Sequence, residues 1–272
     1  MTEGSVSAYV LPLAAQRDVR KAVDLLESPS FAVRLADYAG KPLTRALGFV
    51  PRLDSTLRKL AQSAILRCLE VAIDSQEDED FPPSSWLPRA LTGLTGGIGG
   101  LFGAVALPVE LPLTTTLMLR AIADIARHQG EDLSTVDGRL ACLEVFGLGA
   151  GRSSDKPSEL GYYASRVLFA KLSSDVVSFV AERNVLDISA PVVTRLVGEI
   201  AGRFGIVLSE RVAAGVVPVL GAVSGATLNV MFTSQFERIA IAHFTLRRLE
   251  REYGGEVIQQ HCKWVASRGD RS

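Results

Sequence analysis

The sequence predicts an all-α protein, a multi-helix bundle of about eight to eleven helices with two apolar, glycine-rich helical segments at its centre. Apolar residues recur three and four positions apart along most of the chain, and strand-type alternation is nearly absent. Capping residues precede these runs, and glycines follow them. Two long stretches, 90–109 and 212–236, are almost free of charge and place small residues four apart.

Composition narrows the function classes. With 29 Lys+Arg against 30 Asp+Glu over 272 residues, the chain lacks the basic surplus of a nucleic-acid binder. The apolar share is 47 % before glycine is counted, and mean hydropathy is +0.23, which favours a membrane or a large apolar interface. Three scattered cysteines, Cys68, Cys142 and Cys262, are too few for a disulfide framework and point to a reducing compartment. The N-terminus carries Glu3 and no long apolar run, so no signal peptide is predicted.

In chain order, Ser28 with Pro29 opens a helix. A second helix begins at Asp54, with Leu57, Leu60, Ala61, Ala64, Ile65, Cys68, Leu69 and Ala72 on one stripe. The acids from Glu77 to Asp80, followed by Pro82 and Pro83, form a solvated linker. They divide N-terminal amphipathic helices, 1–80, from a glycine-rich helical core, 81–272. A helix from Leu111 to about Gly130 follows, with Arg120 and Asp124 as an i,i+4 pair. Ser134 caps the next helix, with Asp137 three residues on, and that helix ends near 147–152. Residues 160–184 read as a helical pair, and Ser189 caps a helix with Pro191 early. The last long helix is broken or kinked near Pro218. Its seam is Leu228, Phe232, Phe236, Ile239, His243 and Leu246, and it stops before Gly254 and Gly255. A short helix around Trp264 completes the chain.

The glycines near residue 100 resemble a phosphate loop only superficially. Gly97, Gly99 and Gly103 give G-x-G-x-x-x-G without a preceding strand, and no P-loop motif occurs. At four-residue spacing, Gly93/Gly97, Gly96/Gly100 and Gly99/Gly103 line one helix face for close helix packing. Gly221/Gly225 repeats the device in the second segment. Residues 90–109 have the ~20-residue length of a membrane span, yet their hydrophobicity is moderate. Buried or membrane-contacting helices are the favoured reading, and an integral span stays open.

Glu110 is the lone charge of its stretch. It reads either as a turn residue capping the helix beside Pro112 or as a buried carboxylate of raised pKa. Asn229 reads as a core amide able to bond across helices. His243 lies on the apolar seam as a core histidine, and His128 can pair with Asp124. No HxxxH, HExxH or CxxC occurs, and Glu199 and Glu210 build no site by spacing alone. Neither a metal nor a cofactor is expected. Arg247, Arg248 and Arg251 complement the dipole at a helix C-terminus. Their second reading is contact with anionic headgroups.

Two blocks together carry a family resemblance. TGGIGGLFGAVALPVELPLTTTLMLRAIADIARHQGED and PVLGAVSGATLNVMFTSQFERIAIAHFTLRRLE resemble the central and C-terminal blocks of the EcsC protein family, over about residues 55–252. Glu110, Pro112, Gly221, Gly225 and Asn229 match its patterned positions, with Glu110 standing where the family usually has Asp. The resemblance implies an all-helical fold and a connection to membranes, and no reaction.

The function expected is therefore a non-catalytic accessory protein, bound to lipid or an apolar ligand at the cytoplasmic face of the inner membrane. One alternative is a lipid-directed enzyme using Glu110 as acid/base. The other is a scaffold packing its glycine faces against a protein partner or a second copy. No nucleic acid partner is expected.

Overall fold

Helical periodicity is realised throughout the part of the chain that the computed structural model describes, residues 11–29, 33–34, 54–74, 107–149, 159–215 and 225–269. Among the described residues there are eight helices and no strand. They are α1 (Leu13–Glu27), α2 (Asp54–Asp74), α3 (Leu107–His128), α4 (Val136–Leu148), α5 (Glu159–Arg183), α6 (Pro191–Gly215), α7 (Gly225–Tyr253) and α8 (Gly255–Gly269).

Several helix ends differ from expectation, each for a local reason. Ser28 closes α1, donating its hydroxyl to the Asp24 carbonyl at 2.8 Å, instead of opening a helix. α3 begins at Leu107, so Glu110 lies in its first helical turn and not in a turn between helices. Pro112 sits inside α3 and supplies no N–H to the carbonyl one turn back. The hydroxyls of Thr115 and Thr116 donate to the Leu111 and Pro112 carbonyls at 2.8 Å each, which suits a locally bent helix. At its other end Gly130, at φ +72°, lets the Glu131 N–H turn back to the Ala126 carbonyl at 3.0 Å.

The cap of α4 is Thr135, whose hydroxyl accepts the Gly138 N–H at 3.1 Å. Ser134 is occupied one residue earlier, giving both its N–H and its hydroxyl to Asp132. Ser189 likewise donates to Asp187, and α6 starts at Pro191. α5 is one helix of 25 residues instead of a pair. Its mid-helix Ser173, a helix-weakening residue in sequence, is buried and donates to Glu144 at 2.5 Å. Asp124 pairs with Arg127 at 3.1 Å in place of Arg120, and a His128 ring nitrogen meets the Asp124 carbonyl at 2.7 Å.

The predicted stripe of α2 is buried from Leu57 to Ala72, apart from half-buried Leu60. The seam of α7 is buried at all six predicted positions. α2 packs against α3 and α6, while α1 packs against α7 and α8, so one apolar core runs through both parts of the sequence. The most enclosed described helix is α4, with every residue from Leu140 to Leu148 buried and neighbours in α2, α3, α5, α6 and α7. A helix apolar all round is what such a position requires. The glycine-rich run 90–106 lies outside the described residues.

Helix directions set the poles of the bundle. Arg247 of α7 meets Glu131, just past the end of α3, and Arg248 bonds Gln129. α3 and α7 therefore run in parallel, with their C-termini together. Arg211 near the end of α6 bonds Asn229 near the start of α7, so the chain arrives and departs at the opposite pole.

Candidate functional site

The N-terminal pole of α3 and α7, together with the C-terminal turns of α6, gathers an unusual number of buried polar side chains. Thr114, Thr115, Ser209, Glu210, Arg211, Asn229 and Thr233 are all buried there. Asn229 is fully enclosed and its Oδ1 accepts from Arg211 Nη2 at 3.3 Å. The Arg211 guanidinium also lies 5.2 Å from the centre of the Phe232 ring, a cation–π contact. Asn229 is thus a buried amide bonded from α7 to Arg211 of α6.

Glu210 precedes Arg211, and burial pushes its carboxyl up to about 7. Burial likewise drives the Cys68 thiol up to about 12, against the Thr115 hydroxyl. The Thr114 and Thr233 hydroxyls are buried without a hydrogen-bond partner. In sequence, residues 75–106 precede α3 and residues 216–224 join α6 to α7, and both segments lie outside the described residues. Gly96, Gly97, Gly99, Gly100, Gly103 and Gly221 lie outside the described residues, Gly225 is the first residue of α7, and for Glu110 the backbone alone is described.

Two exposed apolar side chains stand at the same pole, Leu113 in α3 and Val230 in α7. No described helix is long and apolar enough to cross a membrane.

The opposite pole is ionic. Arg247 binds Glu131 at 2.6 Å and Asp137 at 3.0 Å, Arg251 binds Glu131 at 2.6 Å, and Arg248 binds Asp18 at 2.7 Å. Glu131 is 6 % exposed and its carboxyl is held below the usual range, because hydrogen bonds and charge from the two arginines outweigh its desolvation. The three arginines named from sequence are therefore brought together as an interhelical clamp.

A third polar cluster lies between α4, α5 and α7, and motif searching missed it. His243 is fully buried, with Nδ1 3.0 Å from the Tyr162 hydroxyl. Arg166 makes a two-pronged ion pair with Glu250. Glu144 is buried on α4, and burial raises its carboxyl to about 7 against the lowering effect of Ser173. Burial and the positive charges of Arg166 and Arg247 hold His243 neutral, well below the ordinary histidine value. Its signal in sequence was the one that singled out Glu110: Glu144 is the lone charge in LACLEVFGL. Among the described residues no group of three His, Cys, Asp or Glu side chains could hold a metal ion.

The described residues define a class: an all-α bundle with buried polar side chains gathered at one pole. The EcsC protein family model matches residues 59–249, well over half of the chain, and the protein belongs to that family. No match is found among curated proteins or among solved structures.

Proposed function

We propose that this EcsC family protein is a non-catalytic accessory protein that binds lipid at a membrane surface through the pole where α3 and α7 begin. The observation that carries this reading is that two nearly uncharged stretches of sequence, 90–109 and 212–236, lead into α3 and α7, which begin at the same pole. Exposed Leu113 and Val230 at that pole support lipid contact, because apolar side chains at a membrane-facing end gain by leaving water. The location proposed is peripheral, at the cytoplasmic face of the inner membrane.

Flotation of the purified protein with phospholipid vesicles tests it, with mass spectrometry of lipid extracted from the same preparation. Co-flotation that weakens in Leu113→Ser and Val230→Ser supports the reading. Recovery entirely in the vesicle-free fraction, with no co-purifying lipid, overturns it.

A further inference from the structure

Two arginines far apart in sequence meet with no counter-ion among the described residues. Arg34 Nη2 donates to Gln235 Oε1 at 3.0 Å, and Arg238 Nη2 donates to the same oxygen at 2.6 Å. Gln235 is buried, and its amide nitrogen reaches the Gly149 carbonyl at 3.4 Å, which turns the oxygen toward the arginines. The remaining acceptors are neutral too: the Met231 carbonyl for Arg34 and the Pro29 carbonyl for Arg238, each at 3.4 Å. The Nε–H of each arginine is buried without any acceptor.

This differs from Arg127, Arg166, Arg203, Arg247, Arg248 and Arg251, each of which sits on a carboxylate. Among the described residues, no acid pairs with Arg34 or Arg238. Burial and the neighbouring charge of Arg238 lower Arg34 to about 10, and burial also lowers Arg238. Two cations sharing one neutral oxygen, with donors to spare, lack an anion rather than a structural partner.

We propose that Arg34 and Arg238, held by Gln235, form a binding site for a phosphate-bearing anion. Two guanidinium forks at one place match a tetrahedral oxyanion, which offers several oxygens and more than one negative charge. The Arg238–Pro29 contact lies at the surface, so the anion reaches the pair from outside. The site stands independently of the lipid-binding pole, and its phosphate belongs either to a small soluble molecule or to a lipid headgroup.

The test uses the full chain with two probes: inorganic phosphate by calorimetry, and vesicles of phosphatidylcholine with or without phosphatidylglycerol by flotation. Wild type is expected to bind at least one. Arg34→Gln and Arg238→Gln should each weaken that binding about tenfold or more, the equivalent of one charge-assisted hydrogen bond, while exposed Arg120→Gln leaves it unchanged. Phosphate binding assigns a soluble ligand; binding only to phosphatidylglycerol vesicles assigns a headgroup. In phosphate-free buffer the two variants should melt no lower than wild type, since each relieves repulsion. A large loss of melting temperature there, unchanged affinity in both variants, or no binding of either probe overturns the site. Vesicle binding that ignores both substitutions would leave the lipid-binding pole standing and remove this one.

Discussion

The Phe169 ring of α5 rests directly on Gly147 of α4: a Cβ at Gly147 would lie 2.3 Å from Phe169 Cζ. Phe236 of α7 approaches Gly149 in the same way, at 2.5 Å from its Cε1. Small residues here let aromatic rings close onto the central helix, where Phe146, Phe204, Phe232 and Phe236 pack with centroids 5.3 to 6.0 Å apart.

Gly147→Ala should therefore destabilise the protein by about 1–3 kcal/mol despite alanine's better helix propensity, because the ring has to shift. Urea unfolding measures it. Phe169→Leu in the same chain should recover part of the loss, and additive effects of the two changes would contradict the contact.

Asn229→Ala removes an acceptor from a buried guanidinium and should cost about 1–3 kcal/mol. Asn229→Asp, which keeps an oxygen facing Arg211, should cost less. An alanine variant as stable as wild type in chemical denaturation would show that Arg211 does not depend on this amide.

Stability should change with pH in two directions. Glu144 and Glu210 have folded values raised to about 7 from an ordinary 4.5, so folding takes up protons there. Their contribution is fully present below about 4.5 and is lost as pH rises through about 7. Glu210→Gln should raise the melting temperature above about pH 7 and change it little near 4.5. His243, depressed below 6.5, works oppositely: its contribution is present above 6.5 and lost as pH falls. Replacing His243 with Gln should flatten that acid limb, and melting curves across pH check both slopes.

Glu131→Gln takes the shared carboxylate from Arg247 and Arg251 and should destabilise by about 1–3 kcal/mol. Arg251 is 43 % exposed against 19 % for Arg247, so Arg251→Gln should cost less than Arg247→Gln. Equal losses in thermal melts would argue against this ranking.

Much of the fold was legible because helix burial follows a local period. The stripe of α2 and the seam of α7 needed only spacing, and glycine after Tyr253 marked the stop that Gly254 makes at φ +91°. Caps were harder: Ser134 and Thr135 are equivalent candidates in sequence, and the decision came from Asp132 engaging Ser134. The role of Asn229 was readable from its position, but its partner Arg211 was not, since pairing across helices depends on their direction. Arg34 and Arg238 carried no sequence signal, because 204 positions separate them and neither sits in a charge run.

The arginine clamp also constrains how the chain can fold. Arg248 reaches Asp18 across 230 positions and Arg247 reaches Glu131 across 116, so the clamp closes only after α7 has found both α1 and the end of α3. Contacts of such separation bring the entropy of long loop closure into the search and slow it. α1 finds most of its packing partners in α7 and α8, which during synthesis from the N-terminus leaves much of its apolar face waiting for the late helices.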